Sequence, residues 1–314
     1  MSVLARSLAF LGDRLQQHAS IAHLCTYRVG GPARYLAEVE SEEELHRIAS
    51  ALLESGDVPH VLVVGRGSNL LVADAGVDGL VIHLGDAMAQ VEVDGHIVTA
   101  GAAAALPVVA RRSVAESLTG FEWAVGVPGS LGGAVRMNAG GHGSDMAASL
   151  IGVRVVDLRT GDNREMAAAE LDLAYRRSNL APTHVVTSAR LGLARGSRAR
   201  GEALISEIVS WRREHQPGGH NAGSVFTNPV GDSAGRLIDA AGCKGLRIRT
   251  AEVSPKHANF IQADEGGSAD DVHALMGEVI SRVRDHSGIT LHPETVLVGF
   301  EDPRGFGDNL GGST

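Results

Sequence analysis

The hydrophobic and polar positions of this chain follow two spacings, one typical of strands and one of helices. The apolar run His60–Val64 predicts a buried strand. Apolar and polar residues alternate over Val91–Val98, which predicts a hairpin with Asp94 and Gly95 at its turn. Further strands are predicted at Tyr35–Glu40, Gly79–Leu84, Val153–Leu158 and Val185–Leu193.

Helical spacing appears in four other segments. Ser41 and Glu44 have the spacing of a capping box and predict a helix that continues to about Leu53. Ser268 is expected to cap a later helix, whose apolar stripe is assigned to the core. This stripe comprises Val272, Leu275, Met276, Val279, Ile280 and Val283. The remaining helices are predicted at Leu106–Leu118, ended by Gly120, and at Glu202–Arg213. Since strands and helices do not alternate strictly, the pattern predicts an α+β fold.

Composition and charge then exclude several classes of partner. The 314 residues are 44% hydrophobic and 21% charged, and the net charge is −9. This argues against a nucleic-acid partner, which requires a broad basic face. Cys25 and Cys243 are isolated and show no metal-ligand spacing, which is typical of the reducing cytoplasm. No metal site is therefore expected. Charges within Met1–His18 and the lack of a long apolar run predict neither a signal peptide nor a membrane span, so a cytoplasmic protein is expected.

Many of the 40 glycines lie in two segments that resemble ligand-binding loops. The first, Gly65-Arg66-Gly67-Ser68-Asn69, follows a predicted strand, but Leu70 replaces the third glycine of a dinucleotide fingerprint. A plain tight turn is therefore an alternative. The second, Gly126–Gly143, is predicted as a long loop whose small residues expose N–H groups to phosphate oxygens. Two such segments in one acidic chain favour an extended diphosphate cofactor.

Three segments together resemble a known family: Thr26–Ala33, Gly65–Leu71 and Gly126–Gly141. They are similar to the UDP-N-acetylenolpyruvoylglucosamine reductases, and the resemblance runs from about Thr26 to Phe300. It implies a two-subdomain FAD-binding region of the vanillyl-alcohol-oxidase type and a C-terminal α+β substrate-binding domain. The expected limits are 1–85 and 86–214 for the subdomains, 215–301 for the substrate domain and 302–314 for a disordered tail.

The family resemblance also implies the reaction. FAD takes electrons from NADPH, and the enolpyruvyl group of UDP-N-acetylglucosamine enolpyruvate is reduced by a hydride at C3 and a proton at C2. The product is UDP-N-acetylmuramate, a precursor of peptidoglycan. No nucleic acid or membrane is expected as a partner, and the protein is expected to act as a monomer.

Three residues match the family's catalytic motifs. Ser224, within Asn221–Pro229, is expected to donate the proton, although a lone loop serine more often caps a turn. Arg176 is expected to hold the substrate carboxylate as charge develops on it, while Arg177 is interpreted as a solvated cation. Glu294 is expected to act as an acid, with an exposed strand-end carboxylate as the alternative.

Binding residues are assigned by the same resemblance. The cofactor is expected to contact Gly65, Arg66, Gly67, Ser68, Asn69, Gly126, Pro128, Gly129, Ser130, Gly132, Gly133 and Asn138. Substrate contacts are expected from Tyr175, Asn228 and His215. Cations that can offset ligand charge or simply face solvent are Lys244, Arg247, Arg249 and Lys256, whereas His257 and Asn259 are expected to shape the domain.

Two departures from the family pattern affect these expectations. His215 replaces a lysine that the family often has before Gln-Pro, so binding at this position should depend more on pH. The segment between Ser178 and His184 is short and lacks a tyrosine that caps substrate in some members.

Rival interpretations are an FAD-linked oxidase of the same fold and a flavin- or nucleotide-binding protein without turnover.

Overall fold

A computed structural model describes residues 3–55 and 60–300 of this chain. The predicted tail at 302–314 lies outside the described residues. The helices within them are α1 (Val3–Ser7), α2 (Glu42–Ser55), α3 (Leu106–Ala115), α4 (Leu131–Arg136), α5 (Arg198–His215), α6 (Ala234–Ala240) and α7 (Ala269–Ser287).

The strands of the described residues are mostly short. They are β1 (Leu15–Ser20), β2 (Pro32–Val39), β3 (His60–Val64), β4 (Leu70–Val72), β5 (Val77–Leu84), β6 (Val91–Asp94), β7 (Ile97–Gly101), β8 (Leu118–Thr119), β9 (Gly140–Gly141), β10 (Ser144–Asp145), β11 (Leu150–Asp157), β12 (Asn163–Ala167), β13 (His184–Gly192), β14 (Ala194–Arg195), β15 (Arg247–Ile248), β16 (Ala251–Val253), β17 (Ile261–Ala263) and β18 (Val296–Val298). The larger sheets have the orders β1-β2-β5-β3, β12-β11-β13-β7-β6 and β15-β16-β17. The α+β prediction is confirmed.

The chain divides into two compact units. The first contains Met1–Gln17, Tyr35–Arg66 and Gly79–Arg212. Its five-stranded sheet is antiparallel throughout, whereas β3 and β5 pair in parallel with His60 opposite Gly79. Apolar side chains from α2, α3, the strands and the segment after β8 form its core, including Leu45, Ile48, Leu80, Ile82, Leu106 and Phe121.

The second unit contains His18–Arg34, Gly67–Asp78 and Arg213–Thr314. Helix α7 buries the complete predicted stripe from Val272 to Val283, and Ser268 Oγ caps it by accepting the N–H of Asp271. The stripe packs in a core with Tyr27, Phe226 and Leu71. In parallel register, β18 pairs with β4 and places Val296 opposite Leu70.

Three local predictions are wrong. Helix α3 ends at Ala115, because Ser117 has a left-handed φ of 58°, and Leu118 instead begins β8. The hairpin loop is Gly95–His96 rather than Asp94–Gly95, since Asp94 pairs with Ile97. The segment Gly126–Gly143 is also not a continuous loop: it contains α4, whose first turn is capped by Ser130, and β9, which pairs with β10 just beyond the segment.

The N-terminus of α7 has a second cap besides Ser268. The carboxylate of Asp74 accepts hydrogen bonds from Ser268 Oγ (2.5 Å) and from the N–H groups of Ala269 (2.9 Å) and Asp270 (3.3 Å). It therefore joins the loop after β4 to the helix, and it also places negative charge at the positive end of the helix dipole.

We expect Asp74→Ala to lower the free energy of unfolding by about 1–2 kcal/mol, because it leaves helix N–H groups without an acceptor. Urea unfolding followed by circular dichroism measures the change. Asp78→Ala is the control, since Asp78 pairs with Arg34 through a side chain that is 85% exposed, and its loss should cost less than about 1 kcal/mol. Equal effects of the two variants would contradict the capping role.

Candidate active site

The two glycine-rich segments meet in the first unit. Gly65 follows β3 directly and lies against Ser130, where a Cβ on residue 65 would stand 2.1 Å from Ser130 Oγ. A Cβ on Gly132 would likewise stand 2.8 Å from that of Ala102. Only glycine permits these approaches. The resulting cleft is lined by Val63, Val64, Gly65, Leu84, Ala102, Ala103, Ser130, Gly132, Gly133, Arg136, His184 and Val186.

Several N–H groups of the second segment are used inside the protein. Leu131 donates to the carbonyl of Ala104 and Gly132 to that of Ala102, both at 2.9 Å. Gly133 donates to Ser130 Oγ at 3.4 Å. The expectation that consecutive N–H groups here are free for phosphate is wrong for these three, because they belong to a capped helical turn packed on its neighbours.

A half-buried cation, Arg136, lines the same cleft and was not among the predicted site residues. The guanidinium of Arg136 donates to the carbonyls of Leu180 (3.3 Å), Ala181 (3.2 Å) and His184 (2.5 Å). Burial lowers the pKa of Arg136 to about 10, so it stays charged at neutral pH. The sequence signal was an arginine inside a glycine-rich segment. A glycine-walled cleft with a cation at its side suits a diphosphate-containing cofactor such as FAD.

The rest of the first segment packs on the Thr26–Ala33 motif. Gly67 has φ 54°, and a Cβ there would lie 2.1 Å from the carbonyl oxygen of Leu24. Its own carbonyl accepts the N–H of Thr26 at 3.1 Å. Arg66 is exposed and Ser68 half-buried. The amide of Asn69 donates to the carbonyl oxygen of Glu294 at 2.9 Å.

In the second unit, the structure brings Ser224 and Glu294 into neighbouring segments. The N–H of Glu294 donates to the carbonyl of Val225, the residue after Ser224, at 2.7 Å. Phe226 and Pro293 form an isolated β-bridge beside them. Two residues predicted to be catalytic, 70 positions apart in sequence, are thus held in register by the backbone.

Asn259 also fixes the serine loop, the segment Asn221–Pro229 that carries Ser224. Its side chain accepts the N–H of Phe226 at 3.0 Å and donates to the carbonyl of Phe226 at 2.8 Å. Its own carbonyl accepts the N–H of Val225 at 2.9 Å. Asn259 is buried, and these contacts agree with the prediction that it shapes the domain.

Ser224 lies on the wall of a polar pocket of about 370 Å³. The pocket is lined by Ser224, Asn228, Ser233, Gly235, Arg236, Asp239, Lys244, Lys256, His257, Ala258 and Asn259. Burial lowers the pKa of His257, so this histidine is neutral at pH 7. The lining then carries three cations and one carboxylate, a local positive excess in a chain of net charge −9.

The cations of this pocket have protein partners that orient them. Lys244 pairs with Asp239 at 2.7 Å, Arg236 pairs with Asp232, and Lys256 donates to the carbonyl of Arg213 at 2.6 Å. Asn228, a predicted substrate residue on the same wall, accepts the N–H of Ala234 at the start of α6. Of the candidate cations, Arg247 and Arg249 do not line the pocket: they pair with Glu252 and Asp264, and with Asp271.

Arg176 lies in the first unit, at the tip of a turn. The N–H of Ala174 donates to the carbonyl of Arg177 at 3.0 Å, and the reverse bond is 3.1 Å long. Arg176 has a left-handed φ of 55°, and its guanidinium donates to the carbonyl of Gly140 at 3.4 Å. Its Cζ lies 5.1 Å from the ring centre of Tyr175, which is exposed. Arg177 pairs with Asp172 at the surface.

The other predicted site residues lie in several separate places. Gly126 lies against His142 rather than in the glycine-walled cleft, since a Cβ there would stand 2.8 Å from His142 Nε2. Pro128 precedes Gly129, whose carbonyl accepts the N–H of Leu106. His215 is the exposed last residue of α5. Asn138 is buried. That Arg176 converges with Ser224 and Glu294 stays a prediction.

Among residues 3–55 and 60–300, no group of three or more His, Cys, Asp or Glu side chains is placed to hold a metal ion. No helix in that part of the chain combines the length and apolar character needed to cross a membrane.

Comparison with known proteins adds independent information. Residues 33–166 match the family described as FAD binding domain, and residues 215–298 match the UDP-N-acetylenolpyruvoylglucosamine reductase C-terminal domain. The chain is 41% identical to the UDP-N-acetylenolpyruvoylglucosamine reductase of Methylorubrum extorquens, covering 93% of this chain and 94% of the relative. It is 43% identical to that of Heliobacterium modesticaldum, covering 92% of each.

A solved structure agrees with these sequence matches. The crystal structure of UDP-N-acetylenolpyruvylglucosamine reductase from Thermus caldophilus superimposes with a TM-score of 0.78 at 36% identity. The match covers 91% of this chain and 99% of that one. The similarity therefore extends over both compact units.

We expect Gly65→Ala to weaken FAD binding by about tenfold or more, because the new methyl group displaces Ser130 Oγ from its helix cap and narrows the cleft. Titration of the apoprotein with FAD, followed by flavin absorbance, measures the dissociation constant.

The matched control is Gly218→Ala. A Cβ on Gly218 has no heavy atom within 4 Å, so the same substitution there should leave FAD affinity unchanged. If Gly65→Ala binds FAD as tightly as this control, the cleft is not the cofactor site.

Proposed function

Because this chain belongs to the UDP-N-acetylenolpyruvoylglucosamine reductase family, we propose that it reduces UDP-N-acetylglucosamine enolpyruvate to UDP-N-acetylmuramate with electrons from NADPH. The family assignment makes it an FAD-containing oxidoreductase. When bound, FAD supplies the two-electron hydride chemistry between nicotinamide and substrate. The proposed reaction is a step of peptidoglycan synthesis, and the proposed location is the cytoplasm.

The observation that carries this proposal is the place of Ser224 on the wall of the cationic pocket. The substrate brings a diphosphate and a carboxylate, and an acidic chain must offer local positive charge to bind them. Lys244, Lys256 and Arg236 supply that charge in the second unit. Asn228, beside them, is proposed to contact the diphosphate or the sugar.

Ser224 is the proposed proton donor to C2 of the enolpyruvyl group. A hydroxyl is a weak acid, but it suffices opposite a strongly basic intermediate if its position is set in advance. The backbone bonds of Val225 to Asn259 and Glu294 provide this preorganisation. Because hydride addition at C3 leaves charge at C2, the proton is required at the adjacent carbon.

Arg176 and Glu294 are the proposed partners of the substrate carboxylate. The charge left by hydride addition is delocalised onto this carboxylate as an enediolate, which a permanently charged guanidinium stabilises. Glu294 would act in its protonated form as a hydrogen-bond donor to the same group. Tyr175, stacked near the guanidinium, and His215 are proposed to contribute to substrate binding.

The strongest rival remains an FAD-linked oxidase, which passes electrons from an alcohol or sugar to oxygen. Such an enzyme needs no proton donor to a carbanion-like carbon, so the Ser224 motif and its supports disfavour it. Anaerobic mixing separates the two: NADPH should bleach the flavin, and UDP-N-acetylglucosamine enolpyruvate should restore its colour. Bleaching by sugars but not by NADPH would identify the oxidase.

We expect Ser224→Ala to leave flavin reduction by NADPH nearly unchanged and to slow reoxidation by the enolpyruvyl substrate by about 10²–10⁴-fold, the usual contribution of a proton donor. Stopped-flow absorbance measures both half-reactions separately.

The matched control is Ser233→Ala in the same pocket. Ser233 Oγ accepts the N–H of Arg236 and caps α6, so its loss should affect stability and substrate affinity rather than the rate of reoxidation. If Ser224→Ala reoxidises at the wild-type rate, the proton comes from another group.

A further inference from the structure

We propose that Asn138, which the family resemblance assigns to the cofactor, is instead a positioning residue that holds the turn bearing Arg176. This inference rests on the role proposed above for Arg176. It concerns a contact within the first unit, between the second glycine-rich segment and residues 174–184.

The side-chain amide of Asn138 forms hydrogen bonds only to other groups of the protein. The side chain is buried, with 3% of its surface exposed. Its Nδ2 donates to the carbonyl of Ala174 at 3.0 Å and to Asp145 Oδ2 at 3.3 Å, and its Oδ1 accepts the N–H of Ala147 at 3.0 Å. Because an amide side chain has two N–H donors, both are used, and no donor remains for a cofactor.

The turn at 174–177 requires stabilising contacts from other parts of the chain. Ala174 and Arg177 exchange two backbone hydrogen bonds, and Arg176 between them has a left-handed φ of 55°. A residue with a Cβ adopts this conformation only when its surroundings impose it. The carbonyl of Ala174 accepts both the N–H of Arg177 and the amide of Asn138, so Asn138 bonds directly to the group that closes the turn.

The other end of the turn is attached to the same segment two residues earlier. Ser178 Oγ donates to the carbonyl of Arg136 at 2.5 Å. The guanidinium of Arg136 in turn binds the carbonyls that follow, from Leu180 to His184. Hydrogen bonds therefore fix the turn on both sides of Arg176. In this arrangement the guanidinium of Arg176 donates to the carbonyl of Gly140.

Asparagine is the residue type that meets both demands at position 138. Its own φ is 42°, and asparagine tolerates the left-handed region better than other residues with a Cβ. An alanine there would lose the hydrogen bonds and add backbone strain, so it could unfold the segment without testing the proposal.

The test uses the double variant Asn138→Asp with Asp145→Asn. Aspartate keeps the acceptor for Ala147 and tolerates positive φ, and the amide at 145 restores a donor–acceptor pair between the two side chains. The donor to Ala174 is lost, and a carboxylate oxygen that cannot donate takes its place opposite that carbonyl. Asp145→Asn alone is the control, because it keeps the bond from Asn138 to Ala174.

We expect the double variant to bind FAD within about twofold of the wild type and to be reduced by NADPH at a similar rate. Its reoxidation by the enolpyruvyl substrate should slow by about tenfold or more, the loss of one hydrogen bond that positions a charged group. FAD titration of the apoprotein and stopped-flow measurement of each half-reaction supply these values. An FAD affinity reduced tenfold, or an unchanged reoxidation rate, would overturn the inference.

Combination with Arg176→Ala separates positioning from general damage. If Asn138 acts only through Arg176, the double variant should cause no further loss of reoxidation rate once Arg176 is removed. An additional loss in that background would overturn the positioning role. If Arg176→Ala alone leaves reoxidation unchanged, the proposed role of Arg176 fails, and this inference fails with it.

Discussion

The hydrogen bond from the N–H of Glu294 to the carbonyl of Val225, at 2.7 Å, is the contact on which the second unit's candidate site depends. It fixes the distance between the segment that carries the serine and the segment that carries the carboxyl group. The side-chain amide of Asn69 donates to the carbonyl of Glu294, and the pairing of β18 with β4 fixes the residues that follow Glu294. Asn259 does the same for the serine loop. A weak acid such as a hydroxyl can serve as a proton donor only with such prior order.

The first unit includes several non-glycine residues in the left-handed region of φ. Ser117, Asn138, His142, Asp172 and Arg176 all have left-handed φ values between 42° and 58°. Each such residue costs about 1–3 kcal/mol unless its neighbours compensate. Three of them lie along the second glycine-rich segment and the turn bonded to it. The second glycine-rich segment therefore lines the cleft proposed for the cofactor through Ser130, Gly132 and Gly133, and it bonds to the turn of Arg176 through a different residue, Asn138.

Local patterns in the sequence predicted the features that depend on local periodicity. The stripe of α7 and its cap at Ser268 were predicted correctly because both follow from residues within one helix. Helix α4 was missed because Gly132 and Gly133 disfavour a helix in isolation, and only the Ser130 cap and packing on Ala102 and Ala104 stabilise it. Helix α3 was predicted too long because nothing in the spacing signals the left-handed Ser117.

For the candidate site, motif matching identified residue types but not the contacts that hold them. Ser224 and Glu294 were assigned from two separate motifs, and their backbone connection spans 70 residues. The supports of Arg176 come from Asn138 and Arg136, about 40 positions away. Such bonds have no periodic signature, since either partner is an ordinary polar residue in its own segment. Their existence depends on how the sheets and loops pack, which the spacing of residues along the chain does not signal.

The replacement of a family lysine by His215 can be judged against the charge of the pocket. If that lysine were the main source of positive charge, its loss would leave an acidic chain without means to bind a diphosphate. Instead Lys244, Lys256 and Arg236 line the pocket, and each is oriented by a carboxylate or a carbonyl. Because cations so placed lose little entropy when a ligand binds, the proposed substrate site has sources of positive charge other than position 215.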